Sequence, residues 1–302
     1  MKYGFNLPWP GPLATPEFLG TIARRGEELG YDCLLTGDHI VVPRNIDSTY
    51  PYSEDGGFPG SASGVAMEQL TVLSFLAGQT QNIRLGTSVM IVPHRNPLLA
   101  AKVLATLDVL SRGRLILGVG VGWMREEFDA MGLPPFDERG AVTDEYIAAF
   151  KELWTSDNPS FQGKYCQFSD ISFLPKPVQK PHPPIWVGGE SWRAIRRTAQ
   201  IGDAWCPIGT NTQFPMGQPE QLAAGMERLA VYARREGRDP AEIEVVFRLN
   251  PVGQPEQIAG DIRRYEQMGV GQLVVSFGQT SGSPNEVLER MEQFATQVWP
   301  LV

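Results

Sequence analysis

Apolar residues fall into two alternating kinds of segment along this chain. Short runs rich in β-branched and aromatic residues are followed by longer segments in which apolar residues recur every three or four positions. The first pair is the run Tyr3–Leu7 and a helical pattern that places Phe18, Leu19 and Ile22 on one face. Alternation of this kind predicts parallel strands joined by crossover helices.

Seven further strands are predicted after the first one. They lie at Cys33–Thr36, Ile83–Val92, Leu115–Val119, Ile185–Val187, Ala204–Ile208, Ile243–Leu249 and Leu273–Phe277. Eight strand–helix units in 302 residues are typical of a closed (β/α)8 TIM barrel, whereas a doubly wound sheet usually has fewer strands. We therefore predict an α/β fold in which residues 1–302 form a single TIM-barrel domain.

Local signals mark where several helices begin. Thr15 and Asn96 each precede a proline, which combines an N-cap side chain with a proline at the first helical position. Ser283 and Glu286 have the spacing of a capping box.

Two long connections, about 41–63 and 158–184, interrupt the regular alternation. We expect both to be insertion loops at the C-terminal mouth of the barrel, where substrate is selected. Their aromatic residues suggest an apolar or aromatic guest, although long loops at a barrel mouth also serve simply as lids. These aromatic residues are Tyr50, Tyr52, Phe58, Phe161, Tyr165 and Phe168.

Composition narrows the classes of function. The 34 acidic residues outnumber the 26 basic ones, and the net charge of -8 argues against a nucleic-acid partner. No apolar run approaches the ~20 residues that a membrane span needs, and no signal peptide is evident, so we predict a cytoplasmic protein. The three cysteines (Cys33, Cys166 and Cys206) include no CxxC pair, which indicates neither a disulfide framework nor a thiolate metal site.

In a TIM barrel the active site is built from residues that follow the strands. Asp38 and His39 follow the second strand, where the carboxylate could neutralise or orient the imidazole for proton transfer. The alternative is that His39 only makes a structural hydrogen bond in its loop. His94 and His182 lie beside prolines and are predicted to be structural, and no metal site is predicted.

Two glycine-rich segments also follow strands. The alternating glycines of Gly118–Gly122 lack the G-x-G-x-x-G spacing of a dinucleotide site, so they either admit a flat ligand or form a bulge at the strand end. Gly188 and Gly189 lead into a helix that Ser191 can cap. This arrangement suits an anion such as phosphate, but an ordinary glycine turn has the same residues.

In this order, these residues resemble the luciferase-like monooxygenase superfamily, and most closely its subgroup of deazaflavin (coenzyme F-420)-dependent oxidoreductases. The similarity covers nearly the whole chain. It is carried by Thr36–His39, Tyr50–Tyr52, Asp55–Gly56, Ile83–Val89, Arg95–Pro97, Leu107–Ser111, Gly113–Arg114, Leu117–Trp123 and Pro184–Gly189.

The resemblance implies a flat tricyclic ring at the C-terminal mouth, pressed on a bulge in strand three. In relatives this bulge often contains a cis peptide bond, which here would be Ser88–Val89. It also implies that His39 handles a proton and that Gly188 and Gly189 meet a phosphate. The implied cofactor-binding residues are Asp38, Thr87, Ser88, Val89, Gly120, Gly122, Gly188, Gly189 and Ser191.

The function implied is hydride transfer between F-420 and a small organic substrate, with no nucleic-acid or membrane partner and, by family analogy, a homodimer. Two alternatives stay open: an FMN-dependent monooxygenase fed by a separate reductase, and a catalytically silent cofactor-binding protein. The F-420-dependent sugar-phosphate dehydrogenases carry a glutamate after the strand-four glycines. Trp123 stands there in this chain, which argues against that substrate.

Overall fold

The computed structural model describes residues 1–58, 66–278 and 282–302. Within them, parallel strands close into an eight-stranded barrel surrounded by helices, which confirms the predicted (β/α)8 fold. The strands are β1 (Lys2–Asn6), β2 (Cys33–Thr36), β3 (Arg84–Thr87), β4 (Met90–Ile91), β5 (Leu115–Gly120), β6 (Phe161–Gln162), β7 (Gln167–Phe168), β8 (Ile185–Gly188), β9 (Ala204–Cys206), β10 (Glu244–Leu249) and β11 (Gln272–Val275). The helices are α1 (Pro16–Glu28), α2 (Gln69–Ala77), α3 (Pro97–Leu110), α4 (Arg125–Ala130), α5 (Arg139–Thr155), α6 (Trp192–Ile201), α7 (Pro219–Arg235), α8 (Pro255–Gln267) and α9 (Pro284–Gln293).

Strand pairing closes the barrel between its third and fourth positions. β3 pairs in parallel with β5, so that Leu85 lies opposite Leu115. After a bulge, β4 continues the third barrel strand and pairs Met90 with Val119 of β5. The predicted strand Ile83–Val92 is therefore interrupted in its middle, where the barrel wall bends at its C-terminal end.

The core has two layers because successive side chains of a strand point to opposite faces. Phe5, Leu34 and Phe247 point outward and pack under the helices. The barrel interior contains the buried side chains of Cys33, Leu35, Ile116, Trp186, Ala204, Val246 and Val274. No helix within the described ranges has the length and apolar character needed to cross a bilayer.

The predicted helix caps are confirmed. Thr15 accepts a hydrogen bond from the backbone N–H of Phe18, and Asn96 accepts from the N–H groups at the start of α3. Ser283 and Glu286 make both hydrogen bonds of the capping box at α9.

The first insertion lies at the C-terminal mouth, as predicted, over its described part, 41–58. Its last residues, 59–63, lie outside the described residues. Pro51 O accepts a hydrogen bond from Thr212 N at 2.9 Å, which ties this insertion to the loop after β9.

The expectation that the second insertion, 158–184, also lies at the C-terminal mouth is wrong. This segment joins the end of α5 to the start of β8, and such connections run along the opposite end of a barrel. Gln179 Nε2 donates to Leu115 O at the first residue of β5, and Lys176 Nζ donates to Leu153 O near the end of α5. Strands β6 and β7 form an antiparallel hairpin within it. Its aromatic residues thus belong to another surface.

Candidate functional site

His39 lies at the C-terminal mouth, paired with a carboxylate from a distant part of the chain. Its Nδ1 is 2.6 Å from Glu127 Oε2. Both residues are nearly inaccessible, with 5% of His39 and 0% of Glu127 exposed. The bond to Nδ1 orients the ring and leaves Nε2, which makes no hydrogen bond within the described residues, as the atom able to exchange a proton with a ligand.

Glu127 is held as a carboxylate by several donors. Burial is the largest single influence and raises its pKa, but the hydrogen bond and charge of His39, the charge of His94 and the N–H of Ile40 together outweigh burial. The net pKa lies below the ordinary value of 4.5. Glu127 Oε1 also accepts from Val41 N at 3.2 Å. The ionised carboxylate therefore both orients the imidazole and anchors the loop that carries it.

Our sequence prediction paired His39 with Asp38, and the structure shows that this pairing is wrong. Asp38 is buried and accepts two hydrogen bonds from Arg95, at 2.7 and 2.8 Å, and one from Ile91 N at 2.9 Å. Neighbouring residues on this turn point to different partners, so Asp38 fixes the loop after β4 while His39 faces Glu127.

Sequence reasoning missed Glu127 because it missed α4. This helix has six residues, too few for an apolar period to be visible. The available signal was the pair of acidic residues, Glu126 and Glu127, shortly after the strand-four glycines. Glu126 Oε1 accepts from Asp47 N and Ser48 N, each at 2.9 Å, so both glutamates hold the first insertion against the barrel.

An aromatic cluster surrounds the imidazole. The Trp9 ring stacks on His39 at 5.6 Å between centroids, and Phe58 lies 4.7 Å away. Trp123 meets His39 edge-on at 6.1 Å, and Tyr50 contacts both Phe58 and Trp123. These four rings, with Tyr52 against Tyr50, form a mostly apolar wall that keeps water from the imidazole.

His94 is the second buried histidine near this carboxylate. Its Nδ1 lies 3.9 Å from Glu127 Oε1, and neither ring nitrogen has a hydrogen-bond partner among the described residues. Burial lowers its pKa to about 4, although the charges of Glu127 and Asp38 act in the opposite direction. His94 is therefore neutral at pH 7, and its ring packs edge-on against Phe128.

One half of the mouth, which we call the apolar half, consists of Val89 above Gly120 and Gly188. The Ser88–Val89 peptide is cis, as the resemblance implied. A Cβ on Gly120 would lie 2.3 Å from one Val89 methyl carbon, and a Cβ on Gly188 would lie 2.6 Å from the other. Since real Cβ atoms essentially never approach so closely, these glycines provide space for Val89, which remains partly exposed toward the mouth.

The neighbouring residues complete this half. Thr87 Oγ1 donates to Gly118 O at 2.6 Å, and Ser88 N donates to Thr36 O at 2.8 Å. Gly122 has a φ of +85°, and a Cβ there would meet Phe128 at 2.8 Å. The strand-four glycines thus have packing reasons of their own, which favours the bulge interpretation.

Helix α6 begins beside the apolar half. Ser191 is its N-cap and accepts from Ala194 N at 3.3 Å. Gly189 has a φ of +104°, a left-handed conformation that favours glycine. The turn therefore directs the positive end of the helix dipole toward the mouth, where an anionic group is favoured.

The opposite half of the mouth, which we call the polar half, consists of Asn6, Cys206, Arg248 and Ser276. Arg248 follows the interior residue Val246 by two positions on β10, so its side chain enters the barrel. Its Nη2 donates to Asn6 Oδ1 at 3.3 Å, and Asn6 Nδ2 donates to Ser276 Oγ at 3.3 Å. These residues carry no signal in the sequence, because one polar residue per strand is no pattern until the strands are assembled.

Glu190 lies beside the polar half as a further buried carboxylate. Its Oε1 accepts from Ile208 N at 2.7 Å and Gly209 N at 3.2 Å, and its Oε2 accepts from Tyr52 Oη at 3.3 Å. Burial, the largest influence, raises its pKa above the ordinary value of 4.5 despite these donors. No group of three or more His, Cys, Asp or Glu side chains in the described ranges could hold a metal ion.

The barrel agrees with the comparison to known families. The luciferase-like monooxygenase family matches residues 1–252, and the chain belongs to this family. Relatives of this chain include an F420-dependent dehydrogenase and an FMNH2-dependent monooxygenase.

Three relatives show the range of the family. A protein of unknown function from Mycobacterium tuberculosis is 29% identical over 299 residues, 99% of each chain. The F420-dependent glucose-6-phosphate dehydrogenase of Amycolatopsis mediterranei is 35% identical over 203 residues, 66% of this chain and 56% of the relative. The FMNH2-dependent dimethylsulfone monooxygenase of Pseudomonas putida is 35% identical over 159 residues, 52% and 44% of the two chains. Relatives thus use both cofactors.

Solved structures share the fold over the full length. A monooxygenase from Streptomyces bottropensis superposes with a TM-score of 0.80 at 21% identity, covering 99% of both chains. The coenzyme F420-dependent tetrahydromethanopterin reductase of Methanopyrus kandleri superposes with a TM-score of 0.76 at 16% identity, also covering 99% of both. At these identities the likeness concerns the fold alone.

Proposed function

We propose that this protein is an F-420-dependent oxidoreductase in which His39 exchanges the proton that accompanies hydride transfer. The observation that supports this most is the buried pair of His39 and Glu127 at the mouth of a barrel whose relatives include F420-dependent enzymes. A hydride acceptor that becomes an alcohol or a saturated product also needs a proton, and imidazole is the side chain most often used to exchange one.

The described residues fit a flat anionic cofactor. Val89 presents an apolar, partly exposed surface in the apolar half, where the ring would lie with the partly exposed Ser88 at its edge. Thr87 is buried and supports this surface through its hydrogen bond to Gly118 O. Gly188, Gly189 and Ser191 at the start of α6 would hold its phosphate through backbone N–H groups. When bound, the deazaflavin supplies the hydride chemistry, and the protein supplies position and electrostatics.

The residues around His39 have distinct tasks in this proposal. Glu127 fixes the imidazole through Nδ1 and stabilises its protonated form, so that Nε2 is the atom that gives or takes the proton. Trp9, Phe58 and Trp123 exclude water, which keeps the proton exchange between imidazole and substrate. Asp38 positions this turn through Arg95.

An FMN-dependent monooxygenase is the second candidate, because a relative of that kind is 35% identical to part of this chain. Titration of the purified apoprotein with F-420 and, separately, with FMN tests the choice by fluorescence. We expect F-420 to bind at least about tenfold more tightly than FMN, a difference of ~1.4 kcal/mol. Preference for FMN, followed by a long-lived oxygen adduct after reduction, would establish the monooxygenase instead. Binding of neither would overturn the cofactor assignments.

A further inference from the structure

Arg248 is a partly buried cation whose donors are largely unused. It lies inside the barrel at the mouth, and within the described residues its one hydrogen bond is to the neutral amide of Asn6, at 3.3 Å. No carboxylate of the described residues lies within 4.0 Å of it. A guanidinium has five N–H donors, and removing one from water is unfavourable unless these donors find acceptors.

Other partly buried arginines of this chain are well supplied with acceptors. Arg95 pairs with Asp38 and Glu68, and Arg197 pairs with Asp144. Arg114 donates to backbone carbonyls and to Thr80 through three of its nitrogens. The contrast indicates that the acceptor of Arg248 is not supplied by the described chain.

The side chains around Arg248 are polar, since Arg248, Asn6 and Ser276 form one hydrogen-bonded chain. Burial is the largest influence on the thiol of Cys206 and raises its pKa to about 11, while the charge of Arg248 acts to lower it. Burial also raises the pKa of Tyr50, and the charge of Arg248 acts against this rise. Tyr50 also contacts Phe58 and Trp123, the rings that border His39. Arg248 and His39 therefore share one aromatic wall.

We propose that Arg248, supported by Asn6 and Ser276, binds the carboxylate of the substrate. The substrate class is an aromatic or unsaturated carboxylic acid, whose apolar body lies against Tyr50 and Phe58. This inference rests on the proposed function, because it assigns the substrate of that same site. The planar fork of a guanidinium matches the two oxygens of a carboxylate and binds them in a bidentate manner.

Glu190 is a nearby acidic group, and a negative charge there would repel an anionic ligand. Its oxygens are occupied by Tyr52 and two backbone N–H groups, and neither lies within 4.0 Å of Arg248. Burial raises the pKa of Glu190 above its ordinary value. The positive charge of Arg248 thus stays available to a ligand.

The test compares carboxylates with their neutral amides. Acetate, benzoate and cinnamate, and the matching amides, are titrated by calorimetry into the apoprotein and into F-420-loaded protein. We expect benzoate and cinnamate to bind about tenfold or more tightly than their amides, and the Arg248→Met variant to lose this preference. Arg248→Lys should restore part of it. Arg235→Met, which removes one positive charge from the outer helix α7, should leave it unchanged.

Distinct results overturn the proposal. The proposal is wrong if the wild type binds every carboxylate and its amide with equal affinity. It is also wrong if Arg248→Met keeps the wild-type preference for carboxylates. Weaker F-420 binding by Arg248→Met, with an unchanged carboxylate preference, would assign Arg248 to the cofactor instead. Failure of the proposed function is separate, since it would show as absent F-420 binding by wild type while the apoprotein still preferred carboxylates.

Discussion

The two halves of the barrel mouth differ in how far the chain itself provides partners for their side chains. In the apolar half, Gly120 and Gly188 leave space that Val89 fills from the third barrel strand. In the polar half, Arg248 enters the barrel, and the described residues supply it with one amide acceptor. The first half is complete by itself, whereas the second is completed by a ligand in our proposal.

This difference separates the half of the mouth that has a fixed shape from the half that favours one kind of ligand. A surface made by packing is rigid because every neighbour is already in contact, so it can present one shape to a flat ring. A cation with unused donors fixes no shape but strongly favours one kind of ligand charge. The apolar half therefore suits the constant partner, the cofactor, and the polar half suits the group that distinguishes one substrate from another.

The largest expected effect concerns the imidazole at the border of the two halves. His39→Ala should lower the rate of hydride transfer by about 10²–10⁴-fold, because general acid–base catalysis contributes that much. The F-420 dissociation constant should stay unchanged, as fluorescence titration would show. His182→Ala removes a histidine at the opposite end of the barrel, in the second insertion, and is the matched control. Unchanged turnover in His39→Ala would end the catalytic assignment.

The packing of the apolar half is tested by adding a methyl group at Gly188, in the space that Val89 occupies. Gly188→Ala should destabilise the protein by about 1–3 kcal/mol in urea unfolding, because the new Cβ overlaps Val89. Adding Val89→Ala should recover part of this loss, as a double-mutant cycle measures. Gly260→Ala is the control, since a Cβ there meets nothing within 4 Å and α8 should gain stability. Additive losses in the cycle would contradict the contact.

The start of α6 is tested by two cap substitutions. Ser191→Ala and Ser283→Ala should each cost about 1 kcal/mol of stability, because each removes an N-cap side chain. Only Ser191→Ala should also weaken F-420 binding, by several-fold at most. Equal cofactor affinity in both variants would assign Ser191 to the cap alone and move the phosphate elsewhere.

The smallest expected effect concerns the direction in which stability changes with pH. It differs between the two buried carboxylates, Glu127 and Glu190, that lie beside the two halves. The pKa of Glu127 is lowered, so the stability it contributes is present above its ordinary value of 4.5 and is lost as pH falls below that value. The pKa of Glu190 is raised, so its contribution is present below 4.5 and is lost as pH rises through its folded-state pKa.

Urea unfolding of Glu127→Gln and Glu190→Gln across about pH 3–8 measures this contrast. The stability difference between wild type and Glu127→Gln should shrink toward low pH, and that between wild type and Glu190→Gln should shrink toward high pH. Parallel trends in the two variants would contradict the assigned environments.

Much of the fold was predictable because its signals are local. The strand Cys33–Thr36 and the helix starts at Thr15, Asn96 and Ser283 were identified from side chains a few residues apart. The errors arose where a local signal was absent or ambiguous. Helix α4 is too short to show a period, and a proline-rich stretch does not reveal which end of the barrel it covers.

The sequence by itself determined the alternation of strands and helices, the resemblance to a family, and the position of His39 and the glycines at strand ends. Only the tertiary structure decided their partners. Glu127 reaches His39 across 88 residues, and Arg95 reaches Asp38 across 57. Periodicity and capping act within a turn or a strand, whereas these pairs exist only after the barrel has closed and brought the ends of its strands to one mouth.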